Sequence, residues 1–269
     1  MRQRLREEDG FSLPELLTTL MIGMVLVLAS LSLVEVTMRK TGETQDRIEA
    51  LQGGRLTMDT ITRELRSRVC LPQTGGSDPI QISIASASPD SISIYTDMRD
   101  TSSGGTAAAP PAGFIAGPQK RTVTYVYDAA ANTGKLVESI YWPTGVNSGV
   151  YTYPATATST RDLLLNVQRA QGTVSGATVT LPIFQYFQYD FARSDAAGRD
   201  PAPEWEVLPA ATGKLTDDAA RTVAKVRITY RAIARNRKDT KASTVFTDEV
   251  FTRNVDPNAE TDELSEPCK

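Results

Sequence analysis

Few side chains in this 269-residue chain could carry chemistry, and the most informative of them lies near the N-terminus. The absence of histidine excludes Ser-His-Asp and Cys-His catalysis as well as histidine-ligated metal sites. The two cysteines, Cys70 and Cys268, are too few to form a zinc site by themselves. The residue that needs explaining is therefore Glu15, a single carboxylate at the start of an apolar run from Leu16 to Val34 that contains no charged side chain.

One explanation of Glu15 is local. Ser12 and Glu15 have the spacing of a capping box, in which Ser12 caps a helix and Glu15 reaches back to the Ser12 backbone. Pro14 fits the first turn of that helix, because the amide hydrogen it lacks would be unpaired there anyway. Capping does not explain the residues that precede Ser12.

The apolar run itself is long enough to cross a membrane as a helix, which requires about 20 apolar residues. An alternative is a cleaved secretory signal, with Leu16–Ala29 as its apolar region and cleavage before Ser30. Glu7, Glu8 and Asp9 disfavour that alternative, because they spoil the cationic segment that precedes such a region.

Taken together, the N-terminal features resemble the cleavage and methylation segment of type IV prepilins and type II secretion pseudopilins. The resemblance rests on Gly10, Phe11, Glu15, the apolar run and three arginines in front of it, Arg2, Arg4 and Arg6. It implies that a membrane aspartic protease cuts after Gly10 and that the new N-terminal residue, Phe11, is N-methylated. It also implies that Glu15 pairs with the Phe11 amine of a neighbouring subunit during assembly, since a carboxylate near hydrocarbon needs such a partner.

The same resemblance predicts location and partners. The chain would be a single-pass protein of the cytoplasmic (inner) membrane with its C-terminal domain outside the cytoplasm, and it would reach the periplasm or cell surface in a fibre. Its partners would be other pilin or pseudopilin subunits, the prepilin peptidase, the inner-membrane assembly platform and the lipid bilayer. No cofactor and no nucleic-acid partner is implied, and the interspersed charges, with a net charge of −3, indicate an ordinary solvated surface.

A helical pattern continues beyond the apolar run. Residues Ile48, Leu51, Met58, Ile61, Leu65 and Val69 share one helix face, while charged residues, Glu64 among them, fill the other positions. No proline lies between Pro14 and Pro72, so one helix of about 85 Å is predicted from about Ser12 to Val69. Gly53 and Gly54 predict a kink or a brief irregularity within it.

From Ile80 onward the period of the pattern changes to two, which predicts an antiparallel sheet and an α+β fold. The predicted strands are Ile80–Ile84, Ser91–Tyr95, Thr122–Tyr127, Leu136–Trp142, Phe184–Phe191, Thr222–Tyr230 and Ser243–Arg253, the last two forming a hairpin. Ser88-Pro89-Asp90 and Asn132-Thr133-Gly134 are predicted turns, and residues 101–118, 144–160 and 193–203 are predicted loops.

These elements give a domain plan with five parts. A leader (1–10) precedes a transmembrane and polymerisation helix (11–36) and an amphipathic continuation (37–70). A β-rich pilin domain (71–256) and an acidic tail (257–269) follow. The order of an aromatic strand (Phe184–Tyr189), a short helix (Leu215–Arg221) and a Val/Ile strand (Val223–Ile228) resembles PilW-like and J-type minor pseudopilins.

Export would favour a disulfide between Cys70 and Cys268, with two free thiols as the alternative. The sequence holds no nucleotide-binding loop, nucleophile elbow or EF-hand loop, so no catalytic residue and no metal site is assigned. The predicted function is that of a minor pilin or pseudopilin. A membrane-anchored adhesin or binding module is the alternative, and an exported enzyme is less favoured.

Overall fold

The computed structural model describes residues 12–69, 71, 83–96, 110–147, 150–174, 176–190, 204–207, 213–216, 219–220, 223–234 and 243–251. They form one helix followed by antiparallel strands, so the predicted α+β class is confirmed. The chain divides into two compact units, one up to Ile48 and one from Glu49 onward.

Helix α1 spans Leu13–Arg66, in agreement with the predicted helix. The strands are β1 (Ile84–Ser88), β2 (Ser91–Thr96), β3 (Gln119–Asp128), β4 (Thr133–Tyr141), β5 (Gly145–Asn147), β6 (Val150–Thr152), β7 (Ser159–Gln168), β8 (Gln171–Val174), β9 (Ala177–Thr180), β10 (Phe184–Asp190), β11 (Glu204–Val207), β12 (Lys225–Ile233) and β13 (Ser243–Phe251).

Within the described ranges, nine strands form the main sheet in the order β1-β2-β3-β4-β7-β12-β10-β11, and β13 pairs with β12. The β12–β13 hairpin confirms the predicted terminal hairpin, with Lys225 opposite Phe251 and Ile233 opposite Ser243. Strands β10 and β7 pair with successive parts of β12. Two small hairpins, β5–β6 and β8–β9, lie outside the main sheet.

The C-terminal part of α1 packs on this sheet. Its apolar residues Met58, Ile61 and Leu65 join the hydrophobic core together with Leu136 of β4 and Ile228 of β12. Ile61 and Leu65 are almost completely buried, as their places on the predicted apolar face require. Ile48, assigned to the same face, is 48% exposed, so the buried face begins further along the helix than the pattern indicates.

Helix α1 continues through Gly53 and Gly54, so the predicted irregularity does not interrupt it. The structure gives Gly54 a packing role instead. A Cβ atom there would lie 2.3 Å from Cε2 of Phe246 on β13. The backbone oxygen of Gly54 also accepts a hydrogen bond of 2.6 Å from the Tyr230 hydroxyl. Glycine lets the helix approach β12 and β13 closely, and this contact offsets its low helix propensity.

Several strand boundaries differ from the prediction. Residues 144–160 are not one loop, since they contain β5 and β6 and the start of β7. The turn predicted at Asn132–Gly134 lies earlier in the chain, because β4 begins at Thr133. In this turn, Asp128 Oδ1 accepts hydrogen bonds from the Ala130 and Ala131 amides. Strand β1 begins at Ile84, which is the last residue of the predicted first strand.

Other predictions agree or fall outside the described residues. Strands β2, β3, β4, β10, β12 and β13 overlap the predicted strands. The predicted helix Leu215–Arg221 is described only in part: Ala219 and Ala220 are helical, whereas Leu215 and Thr216 are not. The predicted loop 193–203 lies outside the described residues.

Candidate functional site: the apolar helix segment and a buried arginine–glutamate cluster

The predicted processing residues Gly10 and Phe11 lie outside the described residues, as do Cys70 and Cys268. Glu15 is described and lies in the first turn of α1. Ser12 immediately precedes that turn, and its carbonyl oxygen accepts the first helical hydrogen bond, from the Leu16 amide at 3.1 Å. This position of Ser12 agrees with the predicted helix start.

The first part of α1, from Leu13 to Met38, presents apolar side chains all round the helix. Every leucine, isoleucine, valine and methionine in this stretch is at least 50% exposed. Burying one such side chain contributes about 1.5–3 kcal/mol. A helix that is apolar on every side calls for apolar surroundings, and the described residues leave its large apolar side chains exposed.

Polar groups inside the segment are satisfied by the helix itself. All five of its hydroxyl side chains donate to a backbone oxygen three or four residues earlier: Thr18 to Glu15, Thr19 to Leu16, Ser30 to Leu26, Ser32 to Ala29 and Thr37 to Leu33. Such internal bonds suit hydrocarbon, where water cannot serve a hydroxyl. By length and composition, α1 is able to span a membrane.

Charge returns at the end of the segment. Glu35 and Arg39 form an ion pair of 2.7 Å one helical turn apart, and Lys40 pairs with Glu43 at 3.0 Å. The Glu35 and Arg39 side chains are more than two-thirds exposed, so water screens the pair and its effect on stability is small. The uncharged stretch thus has one boundary at Glu15 and the other at Glu35.

The second part of α1 holds a feature that the sequence pattern misassigned. Glu64 was expected on the charged, solvated face of the helix, but it is 2% exposed. It faces Arg121 on β3, Glu138 on β4 and Arg161 on β7, and these four residues are called here the arginine–glutamate cluster. The helical pattern assigns a glutamate to the polar face because of its residue type. It carries no information on the strands, distant in sequence, that place Arg121 and Arg161 beside Glu64.

The geometry of the cluster centres on Arg121. Its Nη1 donates to Glu64 Oε1 at 3.2 Å and to Glu138 Oε1 at 2.9 Å. Its Nη2 donates to the side-chain oxygen of Gln119, also at 2.9 Å. Arg161 binds Glu138 Oε2 through Nε and lies 3.7 Å from Glu64 Oε1 through Nη2. The cluster therefore ties the helix to three strands.

Burial and charge act strongly on Glu64. Burial, first, and the neighbouring Glu138, second, raise the pKa of Glu64 to about 8, while Arg121 and Arg161 oppose the rise. The direction of this shift favours the protonated form of the Glu64 carboxyl. The side chain is closed to solvent, so the arrangement suits holding a proton inside the fold and does not suit contact with a substrate.

Within the described ranges, no group of three or more cysteine, aspartate or glutamate side chains is placed to hold a metal ion. No protein-family model, no curated protein and no solved structure matches this chain.

Proposed function

We propose that this chain is a minor pilin or pseudopilin, a structural subunit of a type IV pilus, DNA-uptake or type II secretion-like fibre. The observation that carries the proposal is the first part of α1, apolar on all sides and bounded by Glu15 and Glu35. Lipid would cover this segment before assembly, and the apolar helices of neighbouring subunits would cover it within the fibre.

The placement of Glu15 supports the same function. It stands at the start of the apolar segment, four residues after Phe11. After cleavage behind Gly10, the new Phe11 amine would be positive, and a carboxylate beside hydrocarbon gains most from such a partner. Pairing between Glu15 of one subunit and Phe11 of the next would set their relative position along the fibre.

The continuity of α1 supports an anchor over a removed signal. Cleavage before Ser30 would cut a helix that runs on to Arg66 and would discard more than half of the apolar segment. In the proposed subunit the whole helix is kept, and its C-terminal part carries the β-sheet domain on the extracytoplasmic side of the membrane.

Replacing Glu15 tests assembly apart from folding. In cells that supply a prepilin peptidase and a pilus assembly platform, Glu15→Ala should reduce incorporation into sheared fibres by about tenfold or more, since an unpaired amine in hydrocarbon costs several kcal/mol. Membrane insertion should persist, because the Leu16–Val34 run is unchanged.

Glu35→Ala is the matched control, since it removes the carboxylate at the other, solvated boundary of the same segment and should leave incorporation near wild type. Equal incorporation of Glu15→Ala and the wild type would contradict the assembly role and leave Glu15 with helix capping alone.

A further inference from the structure

Two carboxyl groups from different elements are buried together in the arginine–glutamate cluster. Glu64 comes from α1 and Glu138 from β4, and neither is more than 2% exposed. Both accept from the same atom, Arg121 Nη1. Two ionised carboxylates this close and this dry repel each other strongly, and the usual outcome is that one of them keeps a proton.

The hydrogen bonds show which carboxyl that is. Both oxygens of Glu138 are served, Oε1 by Arg121 and Oε2 by Arg161. Glu64 receives one bond from Arg121 at its Oε1, whereas its Oε2 is buried and has no hydrogen-bond partner among the described residues. A buried carboxylate oxygen without a donor is costly, whereas a protonated one can donate to Glu138, and a side-chain hydrogen bond with Glu138 is among the causes that raise the pKa of Glu64.

We propose that Glu64 holds a proton in the folded protein and shares it with Glu138, and that this proton fastens the C-terminal part of α1 to strand β4. Arg121 and Arg161 then neutralise the charge of Glu138. Loss of the proton places two negative charges between the helix and the sheet. The cluster thereby makes the docking of the helix on its sheet weaken as pH rises from the unfolded to the folded pKa of Glu64.

Charged groups approach Glu64 from three strands. Strand β3 contributes Arg121, β4 contributes Glu138 and β7 contributes Arg161. Strand β13 presents Asp248, which binds the hydroxyl of Thr62 on the same helix at 3.1 Å. Burial, followed by Glu138, outweighs the two arginines, so the pKa of Glu64 rises from 4.5 to about 8.

The sign of the pH effect follows from this direction. Between pH 4.5 and about 8 the folded state binds a proton at Glu64 that the unfolded state has lost. Stability from this group is therefore greatest below the unfolded pKa and falls as pH rises through that window. The equilibrium for opening the helix–sheet contact should increase by up to about tenfold per pH unit, and it should level off above the folded pKa.

Hydrogen exchange of the full chain in detergent micelles tests this prediction locally. Protection of α1 residues 57–66 should fall in the wild type between about pH 5 and about pH 8, after correction for the intrinsic pH dependence of exchange. Glu64→Gln keeps the shape and donor of the protonated form, so its protection should lose this dependence. Asp59→Asn, a change at an exposed acid on the same helix, should keep the wild-type profile.

If Glu64→Gln fails to fold, infrared spectroscopy of the wild type tests the same proposal. The carbonyl band of a protonated carboxylic acid should be present at neutral pH and should disappear with a midpoint near pH 8. The proposal is overturned if that band is absent at neutral pH, or if folded Glu64→Gln and the wild type have parallel exchange profiles.

Discussion

Helix α1 contains two regions that differ in how they treat apolar and charged side chains. From Leu13 to Met38, large apolar residues are exposed on every side, and charge is kept to the two ends. From Gly54 to Leu65, the apolar residues Met58, Ile61 and Leu65 are buried on one side, and Glu64 is buried with them. Among the described residues, the large apolar side chains of the first region stay exposed, whereas those of the second pack against the sheet.

These regions show that burial, more than residue type, decides how much an ion pair contributes to stability in this protein. An arginine–glutamate pair at Glu35 and Arg39 is solvated and weak. A pair of the same chemistry at Arg121 and Glu138 is nearly dry, and each partner depends on the other for its hydrogen bonds.

The first expected effect, on membrane integration, comes from placing a charge in the first region. Leu26→Arg should prevent stable membrane integration, because arginine at the centre of a span costs about 2.5–3.5 kcal/mol on insertion scales. Alkaline extraction of membranes followed by immunoblotting measures it. Leu56→Arg is the matched control, since this leucine is 69% exposed in the second region and should integrate like the wild type. Integration of Leu26→Arg at the wild-type level would show that the two regions do not differ in their tolerance of a charge.

A second effect, on the stability of the fold, is expected from removing the arginine of a buried ion pair and the arginine of an exposed one. Arg121→Met should lower the free energy of unfolding by about 3–5 kcal/mol, because it leaves Glu138 and Glu64 buried without their shared donor. Arg39→Met should change it by less than about 0.5 kcal/mol, since the partner Glu35 is exposed. Thermal unfolding of both variants in the same micelles, followed by tryptophan fluorescence, compares them. Equal losses would mean that burial does not set the strength of these pairs.

The sequence predicts the elements whose signal is local. The apolar run and the helical spacing of Ile61 and Leu65 predict α1, and alternation predicts β2, β3 and β12. The sequence does not predict strand β7, because its centre, Leu163-Leu164-Leu165, does not alternate. Asn166, with a positive φ of 56°, lies where the register between β7 and β4 shifts.

The buried cluster could not be predicted for a different reason. Arg121, Glu138 and Arg161 lie far from Glu64 in the chain, and only the pairing of β3, β4 and β7 brings them together. Gly54 shows the same limit. Its low helix propensity predicts a weak point, but its contact with Phe246 depends on a strand almost two hundred residues later.

The most direct test of the proposed fibre subunit is the mass of the mature N-terminus. The chain would be expressed with a prepilin peptidase, purified from membranes and analysed by intact-mass and N-terminal peptide mass spectrometry. The proposed function predicts a chain that begins at Phe11 and carries one N-methyl group. Gly10→Val should remain uncut, while Gly23→Val, a change at a glycine with open space around it, should be processed normally. A mature chain that begins at Ser30, or one that keeps residues 1–10, would contradict the account.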